Sequence, residues 1–304
     1  MSSFEGFTNH TVKVHSAVLS KDLNIWCRKK GEGEGLLLLH GYPQTSHIWN
    51  KIAKQLAERY TVVAADLRGY GRSSKPPGSD SHEEYSKREM ASDQVQVMKH
   101  FGFDTFSIVG HDRGGRVAHR LALDNPDEVK RLMVLDIAPT LFMYDNTNMD
   151  FAKGYWHWFF LIQPAPGPEK MILAGPEEFW ATAAARWSHK GVDWSEEDKE
   201  EYKSNFFRPD SVHATCEDYR AAASIDLEHD RADQAAGRKL STPKFRVLWG
   251  SNGVIAKYGD VPGVWRKYCE EGKVDVRGKG LNCGHYIPEE KAEELLAELY
   301  EFMS

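Results

Sequence analysis

Phe106-Ser107-Ile108-Val109-Gly110-His111-Asp112-Arg113-Gly114-Gly115-Arg116 decides how this chain folds. Residues 106–109 are mostly apolar and read as a strand buried on both faces. They run into Gly-His-Asp-Arg-Gly, and a helical pattern over 116–124 follows. That is the spacing of a nucleophile elbow, Gly-x-nucleophile-x-Gly. Small residues allow the sharp turn from strand to helix and leave the central side chain exposed. Here the centre is Asp112, not serine. Short glycine patterns are common, so an ordinary turn with a solvated aspartate explains this stretch equally well on its own.

The flanking sequence repeats the strand–helix alternation. Residues 12–18 and 23–28 read as an opening antiparallel pair. Residues 36–39 and 60–65 read as buried strands with a helix at 49–58 between them, and a longer helix is expected at 86–101. Residues 132–135 form the next strand, ending at Asp136. Such alternation implies an α/β sheet with right-handed crossovers. The pattern then breaks. The segment 140–231 is rich in aromatics, proline and charge, with mostly helical periodicity. Strand signals return at 245–249 and, weakly, at 274–277, and an amphipathic helix closes the chain at 289–302. The expected organisation is a core of residues 1–139 and 232–304, interrupted after its sixth strand by a helical cap at 140–231. A connection that long is often functional. Gly31, Gly33 and Gly35 precede a strand instead of following one, so they form a turn and not a dinucleotide fingerprint.

The chain has 304 residues, 41% of them hydrophobic, and a net charge of −6. It is too apolar for a disordered chain and long enough for a sizeable core. The negative balance argues against nucleic acid, whose binders carry excess Lys and Arg. No apolar run approaches the roughly 20 residues needed to cross a bilayer. The first residues lack the basic and apolar regions of a signal peptide. Cys27, Cys216, Cys269 and Cys283 are widely spaced, which suggests neither a disulfide framework nor a metal site. A cytoplasmic protein with no metal and no cofactor is the expectation.

Three further features favour the elbow reading. His40-Gly41-Tyr42-Pro43 ends an earlier buried strand, where a backbone amide could serve an oxyanion hole. Asp66 to Ser73 follows the next strand. Gly284-His285-Tyr286 lies just before the last helix. The order nucleophile, acid, late histidine is that of a hydrolase triad.

The chain resembles α/β-hydrolases of the aspartate-nucleophile branch: haloalkane dehalogenases, epoxide hydrolases and fluoroacetate (haloacetate) dehalogenases. The last group fits best. The resemblance spans nearly the whole chain, through His40 to Gln44, His111 to Arg116, Val134 to Ile137, Tyr155-Trp156-His157-Trp158, Gln163 to Pro166, Cys216-Glu217-Asp218-Tyr219-Arg220-Ala221 and Gly284-His285. It departs from the family pattern around 279–283 and 251–259. It implies a mostly parallel eight-stranded sheet with an inserted helical cap, and a homodimer.

The residues then take roles. A carboxylate such as Asp112 displaces a leaving group from sp³ carbon and forms an ester. Neutral His285 would deprotonate the water that hydrolyses it. Asp136 is the acid expected to orient His285, because the loop after 245–249 carries no carboxylate until Asp260. A turn or helix-capping aspartate is the plainer alternative for that position. The backbone amides of Tyr42 and Arg113 are the expected oxyanion donors. Arg113 and Arg116, one helical turn apart, would bind a substrate carboxylate through guanidinium forks, although surface salt bridging is the commoner fate of arginine. The resemblance implies a halide pocket of His157, Trp158 and Tyr219, where residue patterns alone would favour apolar packing. Trp187, Tyr144 and Tyr155 are candidate pocket walls. The expected partner is a small anionic 2-haloacid. Two alternatives stand beside it. An epoxide hydrolase would need cap tyrosines, for which Tyr144, Tyr155, Tyr202 and Tyr219 are available. A catalytically dead ligand-binding protein need not keep the triad.

Overall fold

A computed structural model describes residues 4–184 and 187–304. Eight strands form one sheet: β1 (Thr8–Ser16), β2 (Lys21–Lys30), β3 (Gly35–Leu39), β4 (Thr61–Ala65), β5 (Phe106–His111), β6 (Val129–Leu135), β7 (Lys244–Gly250) and β8 (Asp275–Leu281). Their spatial order is β1-β2-β4-β3-β5-β6-β7-β8. β1–β2 and β2–β4 pair antiparallel, and every other pair is parallel.

The apolar runs are continuous because both faces are covered. Leu37, Leu39, Val63, Ile108, Leu132 and Val134 pack into one core layer. Their alternates Leu36, Leu38, Val62, Val109, Met133 and Leu135 pack into the other. A side-chain period of two with apolar residues at both phases is what a doubly covered sheet requires.

Most expected elements appear with adjusted ends. The helix expected at 86–101 runs Lys87–His100, and the Ser86 side chain caps it by accepting from Glu89 N. The helix after the elbow starts at once, at Arg113, and ends at Asp124. Two expectations change. Residues 49–58 form a 3₁₀ turn Ser46–Trp49 and a single turn Ala53–Leu56, because Ile52 leaves helical geometry at φ −126°. The closing helix is broken at Lys291, φ −137°, into Ile287–Glu290 and Ala292–Met303.

Between β6 and β7, eight α-helices occur among the described residues, from Thr140–Asp145 to Ile225–Ala235. The boundary expected at residue 231 therefore falls inside the last of these. That helix runs on to Ala235 and is followed by Gly237 at φ 67°. No helix among the described residues is long and apolar enough to cross a membrane.

Candidate active site

The parallel strands β3, β5, β6, β7 and β8 are neighbours and point the same way. Their carboxyl ends therefore share one edge of the sheet, where open α/β sheets bind ligands. Each strand end delivers one element of the site.

β5 delivers Asp112 at φ 46°, ψ −116°, a conformation that a non-glycine residue adopts only at a cost. The turn is tight enough that a Cβ on Gly114 would lie 2.3 Å from the His40 carbonyl oxygen. The carboxylate of Asp112 is buried, and its Oδ2 accepts from Tyr42 N at 2.9 Å. The loop after β3 thus aims the expected oxyanion amide, Tyr42 N, at the candidate nucleophile. Arg113 N, the other expected donor, opens the following helix, where backbone N–H groups have no intrahelical acceptor. Burial opposes ionisation of Asp112. Its neighbours His285, His111, Arg113 and Arg116 outweigh it and hold the carboxyl below its ordinary pKa.

β6 delivers Asp136, also at positive φ (53°). Its Oδ1 accepts from Gly250 N at 2.9 Å, and its Oδ2 accepts from His285 Nδ1 at 2.6 Å. His285 follows β8. Burial would depress its pKa, but the hydrogen bond and charge of Asp136, with Asp112 behind, leave it raised. A donating Nδ1 leaves Nε2 as the basic nitrogen. The ring of His111 lies 4.5 Å from that of His285, and its Nε2 meets the His285 carbonyl at 2.8 Å. A carbonyl only accepts, so this Nε2 carries a proton. Burial first, then repulsion from His285, push the His111 pKa down to about 3, which keeps the ring neutral.

The cap closes over these groups. The Tyr42 ring is parallel to His157 at 6.0 Å and edge-on to Tyr219 at 5.2 Å. Trp187 lies 4.3 Å from His157 and 5.9 Å from His285, ring to ring. Trp158 lies 5.3 Å from Tyr144. The sequence-predicted aromatics therefore form one connected shell. His157 Nδ1, Tyr219 Oη, Tyr42 Oη and Tyr144 Oη are buried and without a hydrogen-bond partner. Burial holds the His157 pKa well below its ordinary value, so the ring is neutral. Tyr155 sits further inside than a wall residue, with its hydroxyl 3.3 Å from Asp136 Oδ2 and 3.4 Å from His285 Nδ1.

The arginines depart from expectation. Arg113 does not present an open fork. Its Nε donates to Asp218 Oδ2 at 2.8 Å, and its Nη2 donates to Asp218 Oδ1 at 2.9 Å and to the Asp218 carbonyl at 2.8 Å. Only Nη1 is left without a partner. Arg116 donates through Nη1 to Ala138 O and Thr140 Oγ1, each at 3.0 Å, and through Nη2 to Met143 Sδ at 3.4 Å. Its free nitrogen is Nε. Each guanidinium stands over an aromatic face, Arg113 over Tyr219 at 4.1 Å and Arg116 over Trp158 at 4.5 Å. Both carboxylate-binding candidates are thus at the site, each offering one nitrogen and not a two-toothed fork.

A strained elbow, an Asp–His pair from neighbouring strand ends and an amide aimed at the nucleophile are the equipment of a hydrolase. Residues 35–292 match the family model for the alpha/beta hydrolase fold. The chain belongs to the α/β-hydrolase family. It is 43% identical over 302 residues to a fluoroacetate dehalogenase of Burkholderia sp, covering 99% of this chain and 95% of that protein. A soluble epoxide hydrolase of Corynebacterium sp. (strain C12) is 32% identical over 291 residues, covering 90% of this chain and 91% of that protein. Among solved structures, an alpha/beta hydrolase from Nostoc sp PCC 7120 superposes with a TM-score of 0.93 at 48% identity, covering 99% of each chain. Within the superfamily the chain therefore groups with the haloacetate dehalogenases.

Sequence reasoning on this α/β-hydrolase missed the support beneath Arg113. Asp218, fully buried, also accepts from Tyr70 Oη at 2.6 Å and pairs with Lys87. The available signal was its place beside Tyr219 in the stretch Cys216 to Arg220. A second missed group is Glu289, which accepts from Tyr202 Oη at 2.7 Å and Gln44 Nε2 at 2.8 Å. It joins the cap helix Glu196–Phe206 to the loop after β3.

Proposed function

We propose that this hydrolase is a dehalogenase of short 2-haloacids such as fluoroacetate, yielding the 2-hydroxyacid and halide. One observation carries the reading. Two buried arginine nitrogens, Arg113 Nη1 and Arg116 Nε, lack acceptors close to an ionised carboxylate nucleophile. Unsatisfied buried cationic donors are costly, so a small anion is the ligand they favour. A substrate carboxylate between them would bring its Cα to Asp112.

Tyr42 N holds Oδ2 of Asp112, which leaves Oδ1 to attack. Oδ1 forms a bond to Cα as the carbon–halogen bond breaks, and the halide departs with the bonding pair. A leaving fluoride needs donors in a site without bulk water, and the neutral His157, the Trp158 indole and the Tyr219 hydroxyl are the groups at hand. Water then attacks the ester carbon of Asp112. His285 Nε2 takes its proton, and Asp136 stabilises the imidazolium. The tetrahedral oxyanion is Oδ2, already at the Tyr42 amide, with Arg113 N as second donor. Collapse returns the proton to the departing alkoxide and frees the 2-hydroxyacid. The second proton of the water stays on the regenerated Asp112 carboxyl and is released as that group ionises, so the products are the 2-hydroxyacid, the halide and one proton.

A second reading, epoxide hydrolysis, is favoured by the unpartnered Tyr219 hydroxyl, which can donate to an epoxide oxygen. Tyr202 is not available for that role, since Glu289 holds its hydroxyl. An uncharged epoxide would leave Arg113 Nη1 and Arg116 Nε unsatisfied. Incubation with fluoroacetate, chloroacetate and styrene oxide separates the two readings. Halide release from the haloacetates, absent in Asp112→Asn, is the expected result. Diol without halide would replace the first reading by the second.

A further inference from the structure

Arg113 and Arg116 are alike in sequence but differ in electrostatic condition. Arg113 is bound twice by the carboxylate of Asp218, and both side chains are fully buried. Its charge is compensated where it stands. The described hydrogen bonds of Arg116 go to a carbonyl, a hydroxyl and a thioether, all neutral. No carboxylate lies within ion-pair distance of Arg116 among the described residues. The two guanidiniums therefore cannot do the same work.

We propose that Asp218 is the positioning residue of the carboxylate subsite: it makes Arg113 a charge-compensated donor with one free nitrogen and leaves Arg116 to supply the net positive charge that selects an anion. The inference rests on the haloacid reading above and refines it.

The geometry supports the division. Asp218 occupies three hydrogen bonds on one edge of Arg113, counting its own carbonyl, so the guanidinium can turn neither about Nε nor through its plane. Tyr219, the next residue, stacks under the same guanidinium at 4.1 Å. One helix, Pro209–Ala222, thus fixes both the edge and the face of Arg113. Asp218 is anchored in turn by Tyr70 and by Lys87, and Lys87 also meets Asp226 at 3.3 Å. The cluster contains two cations and two anions and balances itself. Arg116 has no ion-pair partner among the described residues and feels the charge of Asp112 only from beyond that distance, so it is the cation left for an incoming carboxylate.

The test is steady-state halide release from chloroacetate by the wild-type protein, Asp218→Asn and Lys87→Met. Asparagine is nearly isosteric, but in either orientation its NH₂ would face a donor of Arg113, Nε at the Oδ2 position or Nη2 at the Oδ1 position, so the guanidinium must turn. A hydrogen bond to a charged group carries about one to two decades of affinity. Asp218→Asn should therefore raise KM by about tenfold or more with kcat within about threefold. Lys87→Met removes one anchor of Asp218 but keeps the three hydrogen bonds from Arg113 to Asp218. It should lower Tm and raise KM clearly less than Asp218→Asn does. A merely structural cluster would shift both variants alike, and that outcome, or an unchanged KM in Asp218→Asn, overturns the inference. If Asp218→Asn does not fold, Asp218→Glu keeps the charge and moves the carboxylate by one methylene. It should raise KM while the Lys87 pair persists, and a wild-type KM in that variant overturns the inference too. No halide from the wild-type protein overturns the haloacid reading and this refinement together, whereas halide with an unmoved KM removes only the refinement.

Discussion

Asp136→Asn is the sharpest perturbation of the site, because the structure dictates which way the new amide must face. Oδ1 of Asp136 accepts from Gly250 N at 2.9 Å, and an amide nitrogen cannot take that place. The asparagine NH₂ is therefore forced to the Oδ2 position, 2.6 Å from His285 Nδ1 and 3.3 Å from the Tyr155 hydroxyl. Two donors would then meet. His285 escapes by moving its proton to Nε2, so that Nδ1 accepts. That tautomer has no lone pair for the hydrolytic water. The backbone is not an obstacle, since asparagine tolerates the φ of 53° at this position. The same aspartate-to-asparagine exchange in a serine protease triad costs about 10⁴ in kcat, or about 5 kcal/mol in activation free energy. Displacement at Cα needs no general base, so only ester hydrolysis should slow. Rapid-quench mixing with chloroacetate should show one halide per site released at the wild-type rate, then near-arrest. Intact mass should show the Asp112 ester. A slow enzyme without burst or ester would refute the assignment of Asp136, as would turnover within about tenfold of wild type.

Two other predictions follow from particular contacts. A Cβ on Gly41 would lie 2.4 Å from Asp112 Cβ and 2.7 Å from its Oδ2. Gly41→Ala should displace the nucleophile and lower kcat/KM by about 10²-fold, and wild-type kinetics would show that the loop yields freely. Glu289 is pushed up to about 7 by burial, against the hydrogen bonds from Tyr202 and Gln44, from an ordinary 4.5. The unfolded chain ionises first as pH rises, so this residue's contribution is complete below about pH 4.5 and is lost by about pH 7. That loss is about 3 kcal/mol. Glu289→Gln should flatten Tm against pH across this window, and a slope parallel to wild type would exclude the effect.

The sheet was legible because burial on both faces writes itself into runs such as Leu36 to Leu39. The elbow and the late histidine were legible because a tight turn demands glycines at fixed spacing. Asp136 was reachable by elimination from the carboxylates near strand ends. The helices were less legible where a single backbone angle decides the outcome, as at Ile52 and Lys291. The state of the arginines could not be read at all. Asp218 lies 105 residues from Arg113, and no local pattern says that a fork is already occupied.

Both carboxylates of the proposed reaction, Asp112 and Asp136, sit on left-handed backbone at the ends of adjacent strands. Each such residue costs about 1–3 kcal/mol, a cost that glycine would relieve at the same backbone angles. Turnover and thermal resistance therefore pull these two positions in opposite directions. A library screened for heat survival alone would be drawn to glycine at 112 and 136, and would collect hardy proteins with no chemistry.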